Sequence, residues 1–203
     1  MNSRANNRKA IVFTLVSMAA FSIEDAFIKH LSSTHSIAQI LIVIGLASAI
    51  FFAILALKNG RIIWASGLWT RLTFTRMLAE AFAGVAFVTS LSLVPLSTVA
   101  AVFQILPLTV TMGSALCLGE RVGWRGWAAI FVGFVGVLLI IKPGFEAFNP
   151  SVLLVLVAVL GIAVRDLVTR VIPDSVGSSI ISFQAFSSVV VAGLFLQLTT
   201  LPY

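Results

Sequence analysis

Residues 95–142 read PLSTVAAVFQILPLTVTMGSALCLGERVGWRGWAAIFVGFVGVLLIIK. No charged residue occurs from Leu96 to Leu118, and none from Gly126 to Ile141. Between the two runs lies a short charged turn, Gly119-Glu120-Arg121-Val122-Gly123-Trp124-Arg125. A helix needs about 20 mostly apolar residues to cross a hydrocarbon core about 30 Å thick. The first run meets that length and the second only just does. Neither alternates with period two, so the backbone amides are satisfied within helices rather than in a barrel. The stretch therefore reads as two spanning helices joined by a tight turn. Arg121 and Arg125 assign that turn to the cytoplasmic side, which orients everything else.

The rest of the chain has a matching composition. It is 60% hydrophobic and 10% charged, with a mean hydropathy of +1.12; a soluble domain carries about 25% charged residues. The net charge of +6 does not indicate a nucleic-acid partner, because the basic residues sit singly at helix ends and not along one face. The lone cysteine, Cys117, excludes an internal disulfide. The first apolar run is too long for the core of a signal peptide and is followed by no small-residue cleavage pattern.

Upstream of the quoted stretch, residues 1–9 form a polar cytoplasmic start with Arg4, Arg8 and Lys9. Spans are expected over 10–29, 36–57 and 77–93. The connection 58–76 carries Arg61, Arg71, Trp64 and Trp69 and reads as an interfacial segment with its indoles at headgroup level. Downstream, Lys142-Pro143-Gly144 ends the fifth span outside, and spans six and seven are expected over 151–170 and 177–198. Thirteen Lys and Arg are present. Arg4, Arg8, Lys9, Lys58, Arg61, Arg71, Arg76, Arg121, Arg125 and Arg170 fall inside in this frame. Lys29 and Lys142 fall outside, and Arg165 lies within a span. A frame shifted by one span would reverse the ratio, so the N-terminus is expected in the cytoplasm.

An internal repeat is visible. Residues 20–29 read AFSIEDAFIK and residues 161–170 read GIAVRDLVTR. At an offset of 141 positions (Asp25 to Asp166), Lys29 coincides with Arg170 and Ala20 with Gly161. An odd number of spans separates the copies, so the second is inverted, as in many secondary transporters.

The motifs Pro95-Leu96-Ser97, Pro107-Leu108, Leu118-Gly119-Glu120-Arg121 and Gly133-Phe134-Val135-Gly136-Val137, in this order between spans, resemble the end of an EamA-type repeat of the drug/metabolite transporter superfamily. Asp25-Ala26-Phe27-Ile28-Lys29 is similar to a motif of many EamA-type first spans. The resemblance implies an all-α integral membrane protein of two five-helix halves. On that reading residues 10–142 are one complete repeat. Residues 150–203 begin a second, inverted one, seven spans in all, and the sequence is a fragment or a truncated relative.

Five residues are candidates for binding a substrate or a proton: Glu24, Asp25, Gln104, Arg165 and Asp166. An ionisable group inside a span costs about 2.5–3.5 kcal/mol on insertion scales, so its default reading is functional. Asp25 with Lys29 and Asp166 with Arg170 stand at i,i+4, acid first, which is the favourable order. These pairs read either as mutual neutralisation or as part of a site. Glu24 and Arg165 have no such local partner. Glu24 is expected near the outer mouth of a wet cavity and Arg165 near the inner one, too far apart in depth to pair directly. Gln104 lies just before Pro107, which deprives the Phe103 carbonyl of its helical donor and kinks the span. Such a kink marks either a transport site or a structural bend with Gln104 bonded to a neighbouring helix. Glu120 is expected to cap the turn or pair with Arg121 or Arg125. Gly126, Ala129, Gly133 and Gly136 make a small-residue face expected to pack helices.

No HExxH and no Gly-x-Ser-x-Gly motif is present, so no catalytic, metal or cofactor site is expected. The N-terminal frame and the absence of a lysine in span seven argue against a retinal protein. The expected function is a secondary transporter of the inner membrane. It would move amino-acid-like, nucleoside-like or drug-like metabolites by alternating access, with the small-molecule substrate and the lipid bilayer as its partners. The alternative is a non-transporting or partner-dependent membrane subunit, since half of the second repeat is missing; a homo-oligomer or a missing C-terminal half is the further partner expected. The topology is testable: cysteines placed at Ser3 or Gly123 should react with an impermeant reagent only after the cells are permeabilised, and labelling from outside would reverse the frame.

Overall fold

The computed structural model describes residues 2–142 and 149–200. Regular structure among them is helical: α1 (Asn2–Leu31), α2 (Ile37–Lys58), α3 (Arg71–Leu93), α4 (Leu96–Phe103), α5 (Leu106–Cys117), α6 (Trp124–Ile141), α7 (Val152–Val171) and α8 (Ser178–Thr200). Two short 3₁₀ turns cover Ser66–Leu68 and Asp174–Val176. With α4 and α5 taken as one span, seven stretches are long and apolar enough to cross a membrane. The expected Pro143-Gly144 turn and the terminal Leu201-Pro202-Tyr203 lie outside the described residues.

Local chemistry sets the helix ends. Ser36 caps α2: its hydroxyl accepts from the Gln39 amide, and the Gln39 side chain accepts from the Ser36 amide. This reciprocal arrangement satisfies two otherwise orphaned donors. Thr70 and Thr73 do the same for α3. That cap starts the third span at Arg71, not at 77, so Arg76 stands in the second turn of a membrane helix and not in the loop where it was expected. The fourth span is broken rather than merely kinked. Pro107 has no amide hydrogen, and the amides of Gln104 and Ile105 bond instead to Ala101 and Val102 at 3.4 and 3.2 Å. The short i→i+3 turn separates α4 from α5.

The bundle is organised by two long antiparallel contacts, α2 with α8 and α3 with α7, with α5 packed on α7. In lipid no hydrophobic force draws helices together, so close backbone approach matters most. Small residues provide it. A Cβ added at Gly45 would lie 3.1 Å from the Phe186 carbonyl, one at Gly193 3.1 Å from the Ala38 carbonyl, and one at Gly161 3.2 Å from the Cα of Ala83. The small-residue face expected on α6 is less used. Gly133 meets Leu108 of α5, but a Cβ on Gly136 would meet nothing within 4 Å, and one on Gly126 would meet only its own turn's Val122. The offset of 141 carries residues 37–58, the apolar span of α2, onto 178–199, the apolar span of α8.

Two apolar clusters fill the bundle. One includes Leu41, Leu91, Val99, Val102, Val155 and Val159; the other is smaller and includes Ala56, Ile63, Ile172, Val176 and Ile180. The smaller one sits at the end that holds the 119–123 turn. There Gly177 adopts a left-handed φ of 77°, and a Cβ would come within 2.8 Å of the Arg61 guanidinium carbon. That guanidinium donates to the Ser175 carbonyl at 2.7 Å. In contrast, α1 is barely packed: of residues 10–31, Asp25, Ile28 and Lys29 alone are less than exposed.

Overpacking a tight contact costs about 1–3 kcal/mol. Gly161→Leu, which meets the backbone of α3, should therefore reduce thermal stability in detergent by that order. Gly133→Leu, against a movable Leu108 side chain, should cost less, and Gly136→Leu should leave the melting curve unchanged.

Candidate functional site

Between the two apolar clusters, in the half of the bundle nearer the 119–123 turn, α3 and α7 bring four charges together. Arg165 on α7 donates through one guanidinium nitrogen to Glu80 on α3 at 3.1 Å. Its other nitrogens hold Asp166 at 2.9 Å. Glu80 is also paired with Arg76, one turn away on its own helix, at 3.6 Å. Arg76 in turn donates to the Thr169 hydroxyl at 2.8 Å, and that hydroxyl donates to the Arg165 carbonyl at 2.7 Å. The side chains of Arg76 and Glu80 are 12% and 16% exposed, those of Arg165 and Asp166 27% and 37%. The network thus grades from a buried α3 side to a wetter α7 side. Two cations and two anions neutralise one another, which lets ionised groups sit at this depth.

The register follows from helix geometry. Residues 161, 165 and 169 lie one turn apart on one face of α7. Gly161 approaches Ala83, Arg165 meets Glu80 and Thr169 meets Arg76. The small pair lets the helices close, and closeness brings the charges within reach. A cleft of about 210 Å³ adjoins the network, lined by Thr169, Ile172, Asp174, Gly177 and Ile181 among others. Thr169 is common to both, so a polar wall leads from the cleft to Arg76.

Several sequence expectations are corrected here. Arg165 is paired, both with its neighbour Asp166 and across to Glu80. The Asp166–Arg170 pair does not form. Arg170 donates instead to the Ser114 hydroxyl at 3.0 Å and to Glu120 at 3.1 Å. Glu120 is therefore bound to α7 and not to Arg121 or Arg125; Arg125 lies over the Trp124 ring at 5.6 Å. Nor does Asp25 pair with Lys29. The Lys29 ammonium donates to the carbonyls of Leu91 and Val94 at 2.6 and 2.9 Å. Carbonyls at the end of α3 have no helical donors and carry its negative dipole end, so they capture the ammonium.

Glu24 is exposed and Asp25 half-buried, and neither side chain makes a hydrogen bond or ion pair among the described residues. Gln104 is exposed at the break between α4 and α5. The structure thus joins Arg165 and Asp166 in one cluster and leaves Glu24, Asp25 and Gln104 apart from it. Glu80, Arg76 and Ser114 are the participants that sequence reading passes over. Arg76 and Glu80 carry a usable signal: an oppositely charged i,i+4 pair inside an apolar run, the same kind of anomaly that marks Glu24.

Breaking the network at Glu80 leaves two guanidinium groups facing each other. Glu80→Gln should destabilise the protein by about 3 kcal/mol, as when one partner of a buried pair is removed. The double variant Glu80→Gln, Arg165→Gln should recover part of that loss. A thermal-melt double-mutant cycle measures the coupling, and additive losses would show that the two groups are independent.

Comparison with known proteins agrees with this architecture. The model of the EamA-like transporter family matches residues 8–142. A Rickettsia bellii protein, "S-adenosylmethionine uptake transporter", is 31% identical over 102 residues, 50% of this chain and 34% of that one. A "Riboflavin transporter" of Rhizobium johnstonii is 32% identical over 102 residues, 50% of this chain and 33% of that one. A "Riboflavin transporter" of Vibrio cholerae is 44% identical over 48 residues, 24% of this chain and 16% of that one. The matched stretch spans about a third of the first two relatives' length. The chain belongs to the EamA-like transporter family and is a multi-pass membrane protein.

Proposed function

We propose, from that membership, that the chain carries small polar organic metabolites across the inner membrane as a secondary transporter. The observation that supports this most is the Arg76–Glu80–Arg165–Asp166 network. Ionisable groups inside spans mark solute and proton pathways, and this cluster borders a cleft through Thr169. The broken fourth span supports the same reading, because discontinuous helices mark solute sites in transporters. In the proposed topology the N-terminus and the 119–123 turn are cytoplasmic, so the cleft beside Thr169 opens inward.

Roles follow by position. Arg165 and Asp166, at the wetter edge of the network, meet the solute from the inner side. Glu24 and Asp25 serve the opposite mouth and hold a proton or a cationic group during turnover. Gln104 offers an amide beside the broken backbone. The relatives' printed substrates, S-adenosylmethionine and riboflavin, are polar solutes of similar bulk. They define the first candidates, and the paired charges favour one that carries both signs, as an amino-acid moiety does.

The test is flux into proteoliposomes containing the whole chain. Saturable uptake or exchange of labelled S-adenosylmethionine or riboflavin is expected. Glu24→Gln and Arg165→Gln should each reduce it severalfold, and the charge-swapped pair E24R with R165E should not restore it. Its reason is local: an acid at 165 would face Glu80 and Asp166. Absence of saturable flux for either solute would count against the assignment. Recovery in the swapped pair would instead favour a direct contact between the two positions.

A further inference from the structure

A groove of about 280 Å³ runs between α2 and α8, with Leu46, Ala49, Ile50 and Ala53 on one wall and Phe183 and Val190 on the other. Its origin is local. Gly45 brings the two helices together: a Cβ there would lie 2.8 Å from Cγ2 of Val190 and 3.1 Å from the Phe186 carbonyl. One and two turns further on, the short side chains of Ala49 and Ala53 leave the space toward α8 unfilled. Leu46 and Ile50 are exposed, so the groove opens sideways into the membrane. Ser187 also lines it, but its hydroxyl donates to the Phe183 carbonyl at 2.7 Å. A polar solute therefore finds no free hydroxyl hydrogen there, and hydrocarbon finds a matching wall.

Depth and charge identify the occupant. Ala53 and Leu46 stand five and twelve residues before Lys58, roughly 7 and 18 Å below the end of α2 at 1.5 Å per residue. Half of a 30 Å core is about 15 Å, so the groove lies at acyl-chain depth within one leaflet. Both walls end at a cation on that side. Lys58 closes α2, and its ammonium has no partner among the described residues. Arg61 lies against Gly177, just before α8, and uses only Nη1 on the Ser175 and Val176 carbonyls. Trp64, 73% exposed, stands edge-on to Phe183 at 6.2 Å and stacks on Trp69 at 5.5 Å. The lining thus continues into an indole of the kind that sits among headgroups. Asp174, the acid nearest to α8 in sequence, lines the other cleft with Thr169. We infer that the groove holds one acyl chain of an acidic phospholipid, with the phosphate at Lys58 and Arg61 and the glycerol beside Trp64. A helix fits less well, because one turn about 10 Å across and 5.4 Å tall fills roughly 420 Å³ and would ride over the groove. This inference does not depend on which solute is carried.

The test uses the full chain in detergent and two lipids with identical acyl chains, phosphatidylglycerol and phosphatidylcholine, each with a photoactivatable group midway along one chain. Irradiation with phosphatidylglycerol should label residues 46–53 and 183–190. Native mass spectrometry should show one phosphatidylglycerol retained about tenfold more tightly than phosphatidylcholine. Lys58→Gln, at an exposed helix end, should cut that preference about fivefold, the share of one basic residue near an anionic headgroup. Ala53→Phe should block the groove and weaken both lipids alike, whereas Ala53→Ser, which keeps the space, should weaken neither. Labelling spread evenly over the lipid-facing helices, equal retention of the two lipids, or displacement by glycerol phosphate alone would overturn the inference. So would a preference that survives Lys58→Gln and falls with Arg125→Gln, which would move the lipid to the turn before α6.

Discussion

An arginine within a membrane span must bring its counter-charge with it. Arg165 meets that requirement by reaching to Glu80, and the rest of the bundle follows from the reach. The bond fixes α7 against α3 in both rotation and height, because Gly161 must then face Ala83 and Thr169 must face Arg76. Lateral packing alone would not set this register. Apolar side chains find lipid and protein about equally congenial, so a helix covered in valine and leucine could slide by a turn with little penalty. An ion pair cannot, since displacement by one turn strands both charges. The two apolar clusters on either side of the network fill a frame that the charges define.

The seven spans are legible in the sequence because each is a long, predominantly apolar run, and hydropathy needs no partner to be read. A bend before Pro107 is legible for a similar reason, because proline acts on its own helix through the amide hydrogen that it lacks; the full parting into two helices at Gln104–Ile105 is not. The pairings are not legible. Glu80 and Arg165 are 85 positions apart, and Arg170 and Glu120 are 50 apart; no local pattern distinguishes them from the i,i+4 alternatives. Asp25–Lys29 and Asp166–Arg170 both have favourable spacing, yet neither forms. In each case a distant acceptor is better: the open carbonyl end of α3 for Lys29, and a hydroxyl with a carboxylate for Arg170. Local spacing identifies which residues need a partner without identifying the partner. The glycines repeat the lesson. The small face of α6 is regular and conspicuous, but the close approaches are made by isolated glycines, Gly45, Gly161 and Gly193, whose role depends on what lies opposite.

Lys29 and Arg170, related by the same offset, bind at opposite ends of the bundle. One holds the corner between α3 and α4, and the other ties α7 to the end of α5 and its turn. The chemistry differs at the two ends. An ammonium among neutral carbonyls is held by dipoles. A guanidinium beside Glu120, with both side chains about half exposed, forms a pair that salt screens. Ionic strength therefore acts unequally on the two, loosening the Arg170 end while leaving the Lys29 end largely as it was.

The interruption between α4 and α5 has a mechanical meaning. Bending an intact helix requires breaking backbone hydrogen bonds where no water can replace them. At Pro107 one such bond is already absent, and the amides of Gln104 and Ile105 are held by the short turn. The two segments are thus lever arms on a ready fulcrum. The first arm, Leu96–Phe103, adjoins the corner gripped by Lys29, and the second, Leu106–Cys117, carries Ser114, gripped by Arg170, in its last turn. A single span that hydropathy counts as one rod is built as two, each with its own grip.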